Sequence, residues 1–159
     1  MIRIEGDVII ERPVDEVFDF VADECNEPRY NPRILRVEKL TPGPIGHGTR
    51  FHAETTTMGR TAAIAIRYTA YQRPRRLGSS IHMSAADIQG TLSFDPTVGG
   101  TRMGWSWDMR LRGCYRLLTP IVARLGRRQE QATWGSLKRF LEGRRDRLPD
   151  PYCGAAPTV

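Results

Sequence analysis

The opening stretch MIRIEGDVII alternates apolar and polar residues as a strand does, and the period then changes. Val14, Val17, Phe18 and Val21 fall at helical spacing behind Pro13, with Asp15 and Glu16 at the favourable end of the helix dipole. Pro28 and Pro32 keep the following piece short, so two clipped helices are expected after the first strand. Six further alternating runs follow: 34–40, 49–57, 61–71, 77–83, 88–95 and 101–111. Pro42-Gly43-Pro44, Met58-Gly59-Arg60, Pro74 and Pro96 to Gly100 punctuate them. Such short connections predict an antiparallel meander of seven strands rather than crossover units. From Tyr115 to Arg145 the spacing is helical again, with Leu118, Ile121, Val122, Leu125, Ala132 and Phe140 as its apolar residues. The closing PDPYCGAAPTV has the composition of a disordered end, so the chain divides into one domain over 1–147 and a tail over 148–159.

Strand parity then sorts the side chains. In the last strand Met103, Trp105, Trp107, Met109 and Leu111 share one face, and Arg102, Gly104, Ser106, Asp108 and Arg110 the other. Only the first set suits a core. The same rule places Phe51, Ala53 and Thr55 inside, with Ile64, Ile66 and Tyr68, then Ser79, Ile81 and Met83, then Leu92 and Phe94. At 100° per residue, Gln129, Thr133 and Ser136 share a helix face with Leu118, Val122 and Leu125. The expected interior is apolar and aromatic, dotted with hydroxyls and one amide. Tyr68, Ser79 and Gln129 either satisfy one another within it or meet a ligand. Trp105 and Trp107 serve as core or as a ligand platform, and Met83, Met103 and Met109 as gap fillers or as adaptable walls.

The groups best suited to proton transfer fall on the other face and read as an ordinary solvated surface. His52, Glu54, His82 and Asp108 all carry outward parity, beside Arg50, Arg67 and Arg110, and only a bulge would turn one of them inward. His47, His52 and His82 lack metal-ligand spacing, and no nucleophile elbow or phosphate loop occurs, so no metal or cofactor is expected.

Composition changes the picture in two respects. The 159 residues carry a net charge of +6, but 11 of the 24 basic residues fall between Arg110 and Arg147, against three acids there. A solvated helix face accounts for this, and a peripheral anionic surface stays open as a partner; no zinc-finger, RNA-recognition or P-loop signature points to specific nucleic acid. Cys25, Cys114 and Cys153 are scattered, which suits unpaired thiols in a reducing compartment. With no export signal at the start and no run long enough for membrane insertion, a cytoplasmic protein is expected, monomeric or homodimeric.

The order strand, two short helices, six strands, long helix resembles the START-like, or SRPBCC, superfamily, and within it the polyketide cyclase/dehydrase and lipid-transport branch. The resemblance covers roughly residues 3 to 145 and rests on IERPVDEVFDFVAD with YNP, GHGTRF, FDPTVGGTRMGWSWDM and GCYRLLTPIVARLGRRQEQATWGSLKRFLE. Tyr30 departs from it, standing where the family often has tryptophan. It implies an α+β helix-grip fold: a seven-stranded curved antiparallel sheet wrapped around the long C-terminal helix, with a cavity between them closed at one end by the two short helices. The implied function is binding of a small hydrophobic ligand (a lipid, an isoprenoid or a polyketide-like aromatic), and the positions that parity and helix spacing offer it are Phe51, Tyr68, Ser79, Ile81, Met83, Leu92, Phe94, Met103, Trp105, Trp107, Leu125, Gln129 and Thr133. A cyclase or aromatase closing a poly-β-ketone chain is the alternative, with catalytic residues unknown. An interaction module using the basic helix is the third.

Overall fold

The computed structural model describes residues 1–57 and 59–143. Among them seven strands form one antiparallel sheet: β1 (Ile2–Ile10), β2 (Ile34–Lys39), β3 (Arg50–Thr57), β4 (Arg60–Gln72), β5 (Arg76–Met83), β6 (Ala86–Thr97) and β7 (Gly100–Leu111). Their order across the sheet is β1-β7-β6-β5-β4-β3-β2. Strands β2 to β7 follow one another as a meander, and β1 returns to pair with β7, Ile2 opposite Met109 and Ile10 opposite Thr101. The two edges are therefore β1 and β2. The chain between them, α1 (Val14–Ala22) and a 3-10 helix (Glu24–Arg29), carries it from one edge to the other. This crossing is the reason for the two clipped helices: α1 packs under β6 and β7, and the 3-10 helix packs against β2.

Local chemistry sets the break between them. Asp23 leaves the helical conformation and accepts a hydrogen bond from the Cys25 amide at 3.1 Å, capping the second piece. That piece ends as Tyr30 N and Asn31 N both donate to the Glu27 carbonyl.

After β7 the chain forms a second 3-10 helix (Gly113–Leu118) and then α2 (Thr119–Gly143), which lies against β1. The α-helix thus starts at Thr119 rather than at Tyr115. Pro120 explains the shift: it fits the first turn of an α-helix, where no amide hydrogen is needed, but not a position a full turn further in. Residues 144–147 of the expected domain, and the whole expected tail, lie outside the described residues.

Parity holds along the strands except at register shifts between Ile34 and Arg36 on β2 and between Tyr68 and Ala70 on β4. Trp105 and Trp107 both point to the concave face, 4% and 8% exposed. Each indole lies across a glycine on the neighbouring strand. A Cβ on Gly6 would sit 2.4 Å from Trp105 Cζ2, and one on Gly90 2.4 Å from Trp107 Cε3. The architecture is the α+β helix grip. Cys114 is a free, exposed thiol, whereas Cys25 is disulfide-bonded, which corrects the expectation of an unpaired thiol there. Sequence spacing carries no information on which cysteines the fold brings together.

Candidate functional site

Between the concave face and α2 lies a cavity of about 320 Å³. Its apolar walls come from alternate positions of the central strands: Ile64 and Ile66 on β4, Ile81 and Met83 on β5, Ile88 and Leu92 on β6, Trp107 and Met109 on β7. Gly126, Gln129, Glu130, Thr133 and Trp134 of α2 form the opposite side. Glu24, Glu27, Tyr30 and Asn31, from the 3-10 helix and the residues just after it, close one end.

That end is chemically distinct. The Tyr68 hydroxyl, fully buried, lies 2.7 Å from the Ala22 carbonyl and 3.0 Å from Glu24 Oε1. A carbonyl only accepts, so the single phenolic hydrogen belongs to Ala22. The contact with Glu24 is then best satisfied by a protonated carboxyl donating to the phenolic oxygen. Burial, and after it the neighbouring Glu27, pushes Glu24 well above the usual carboxylate range. Burial likewise raises Glu27 to about 6, although the Asn31 amide donates to its Oε1 at 2.8 Å. Tyr30 and Tyr68 are raised as well, by burial first and then by the surrounding carboxylates.

Glu130 forms the third carboxyl. Its Oε2 accepts from Trp107 Nε1 at 3.0 Å and from Trp134 Nε1 at 2.9 Å, so one oxygen ties the helix to β7 across the cavity. Burial raises its pKa, and the two indoles oppose that rise. Trp134 in turn packs between Trp105, at 6.0 Å, and Tyr30, at 6.4 Å. The cavity therefore combines an apolar sleeve with an end at which carboxyl groups of different proton affinity stand together. Such a place can hold the polar group of an otherwise apolar molecule, and it can exchange a proton with it near neutral pH.

Of the residues expected to face a ligand, Ser79, Ile81, Met83, Leu92, Trp107, Gln129 and Thr133 line this cavity. Phe51, Tyr68, Phe94, Met103 and Trp105 are buried in the core around it and do not line it. Leu125 is on the wrong side: it is 59% exposed. The inward arc of α2 is centred on Gly126, Glu130, Trp134, Leu137 and Leu141, rotated by roughly one residue step, about 100°, from the arc predicted through Leu118, Val122 and Leu125. Val122 stays partly buried, while Leu118 and Ile121 are exposed.

Glu24, Glu27, Asn31, Arg33 and Glu130 are the polar residues lining the cavity that sequence reasoning missed. Alternation applies to strands and says nothing of a 3-10 helix, which hid Glu24, Glu27 and, just after it, Asn31. Glu130 left a usable trace, being the only acidic residue between Asp108 and Glu142 in a strongly basic run. The groups expected outside do stay out of the cavity. His82 pairs with Asp87 at 2.7 Å, and Asp108 with Arg3 at 3.1 Å. A wider, open depression of about 830 Å³ crosses the opposite face of the sheet between Glu5, Asp7, Arg75, Arg76 and Arg102. Arg102 and Asp7 pair within it at 3.1 Å, and it has the character of a solvated charged surface.

Residues 1–142 match the family model described as polyketide cyclase/dehydrase and lipid transport. Among solved structures, the chain is similar to a START superfamily protein from Mycobacterium smegmatis, with a TM-score of 0.78 at 13% identity, covering 90% of this chain and 99% of that one. It is similar to Ara h 8.0201, with a TM-score of 0.73 at 16% identity over 89% and 98% of the two chains. It is also similar to the di-domain ARO/CYC BexL from the BE-7585A biosynthetic pathway, with a TM-score of 0.72 at 22% identity, covering 89% of this chain and 47% of that one. At these identities the likeness is one of fold. No curated protein matches the sequence.

Proposed function

We propose, from the premise that this chain belongs to the polyketide cyclase/dehydrase and lipid transport family, that it binds one small, largely apolar molecule between its sheet and α2. The observation that carries the reading is the cavity itself: an apolar sleeve ending at Glu24, Glu27 and Asn31. At about 320 Å³ it stands at the lower end of the range usual for small-molecule sites, roughly 300–1,000 Å³. This supports a compact aromatic or a short isoprenoid over a long-chain lipid. The closed end offers an acceptor on Glu27 beside donors on Tyr30 and Arg33, which favours a ligand that brings a hydroxyl there, a group that both donates and accepts.

A second reading, a cyclase-type enzyme, is favoured by the carboxyl pair. Glu27, close to half ionised around pH 6, would take a proton from a carbon next to a carbonyl while a neutral Glu24, turning its hydroxyl from the Tyr68 oxygen to the ligand, donates to the carbonyl oxygen.

Solvent extraction of the purified protein with mass spectrometry of the extract, and titration with naphthalene and naphthol followed by indole fluorescence, tests the first reading. Thr133→Trp should fill the cavity and abolish both retention and titration. If nothing is extracted and neither probe binds, the cavity reading is wrong. Glu27→Gln separates the two readings: a binding protein keeps its affinity with no turnover to lose, whereas an enzyme keeps affinity and loses turnover.

A further inference from the structure

The surface of α2 opposite the cavity is unusual for a helix in water. Tyr115, Leu117 and Leu118 of the second 3-10 helix are exposed by 49%, 85% and 44%, and Ile121 and Leu125 of α2 by 57% and 59%. None of them is spared from the core by accident of fraying. The buried side of this helix is fixed by Gly126, where an added Cβ would lie 2.7 Å from Ile4 Cδ1, and by the bond from Trp107 to Glu130. At 100° per residue Ile121 and Leu125 must then face away, with Arg124 and Arg128 beside them on the same outer arc.

The charge of this segment is one-sided. From Arg112 to Gln129 there are five arginines and no acidic residue. Arg112 is held by Asp87 at 2.6 Å. Arg116, Arg124, Arg127 and Arg128 make no ion pair among the described residues.

We infer that the segment 115–128 docks on an anionic lipid surface, with Leu117, Ile121 and Leu125 entering the boundary of the acyl chains and the arginines meeting lipid phosphates. An interfacial helix needs this combination of an apolar stripe flanked by long cationic side chains, which extend their charges to the head groups while their stems lie along the apolar layer. No helix among the described residues is long and apolar enough to cross a membrane, so the contact is peripheral. Two other occupants fit less well. A second copy placed symmetrically on this face would bring arginine against arginine. A nucleic acid would match the charge but offers no apolar phase for Leu117 and Ile121. Gln129, exposed and also lining the cavity, follows one turn after Leu125, so the docked face borders the site and a ligand could pass between bilayer and cavity. The inference stands apart from the ligand reading, because docking needs none of the cavity residues.

Sedimentation of the full chain with phosphatidylcholine vesicles, and with vesicles of phosphatidylcholine and phosphatidylserine in equal parts, tests it. The wild type should bind the anionic vesicles and release them in high salt. Arg124→Gln, Arg127→Gln and Arg128→Gln together should weaken binding on the order of 100-fold. Leu117→Ser, Ile121→Ser and Leu125→Ser together should weaken it by roughly tenfold or more. All six side chains are exposed, so both variants should melt like the wild type and retain probe binding in the cavity. Should the serine variant melt early, Leu117→Ser alone gives the same test at the most exposed position. Equal binding to the two vesicle types, binding to neither, or an arginine variant indistinguishable from the wild type overturns the inference. So does a dimer that the serine variant dissociates, or an affinity for RNA or polyglutamate above that for the vesicles.

Discussion

Replacing Glu27 by glutamine removes one ionisation from the closed end of the cavity while keeping an oxygen that the Asn31 amide can still reach. In the folded chain burial holds Glu27 at about 6 against a usual 4.5. Between those two values the folded state binds more protons than the unfolded one. Stability therefore declines as pH rises from about 4.5 to about 6, and it remains at the lower level above that. The loss is on the order of 2 kcal/mol, taking about 1.4 kcal/mol for each pKa unit. Glu24 adds to the effect in the same direction, since part of its own elevation comes from the neighbouring Glu27 charge. Glu27→Gln should accordingly be about as stable as the wild type at pH 4 and more stable by roughly 2 kcal/mol at pH 7. Urea denaturation of both proteins at half-unit steps across this range measures the difference. A difference that is the same at every pH, or a wild-type profile that rises between pH 4.5 and 6, would refute the reasoning. A confirmed profile would mean that the protein carries a destabilising charge at neutral pH, a cost that a purely structural residue has no reason to retain.

Three further outcomes follow from the geometry. Tyr68→Phe removes the hydroxyl between the Ala22 carbonyl and Glu24, and should cost about 1–3 kcal/mol in urea denaturation because both partners are left buried. Gly90→Ala places a Cβ 2.1 Å from the Ser106 carbonyl oxygen and against the Trp107 ring; backbone cannot yield cheaply, so a loss of about 1–3 kcal/mol is expected, and a wild-type melting temperature would contradict the packing described. Gln129→Leu, at an exposed position on the cavity rim, should weaken a hydroxylated probe by roughly 2- to 10-fold while leaving a hydrocarbon probe as tight or tighter, and parallel titrations that move together would show that Gln129 does not contact the ligand.

What could be read directly from the residue order was whatever has a fixed period. Alternation of two placed Trp105, Trp107, Ile81, Met83 and Leu92 on the concave face, because a strand offers each side chain only two directions and the opposite face is charged. Turn residues at 58–60 and 96–100 made consecutive strands antiparallel neighbours, and the order of elements carried the helix grip.

The rotation of α2 was not legible in that way. Its apolar residues divide between two faces, Ile121 and Leu125 on one and Trp134, Leu137 and Leu141 on the other, so periodicity had no single direction to report. Close contact of Gly126 with Ile4 and the bond from Trp107 to Glu130 decided between them, and both join residues more than twenty positions apart. The acidic end of the cavity is likewise a product of tertiary structure. Glu24 and Glu27 read as ordinary surface acids in a short polar stretch until the crossing from β1 to β2 brings them under the sheet beside Tyr68. Only there does burial change their proton affinity, because desolvation depends on what surrounds a group in space and not on its neighbours along the chain.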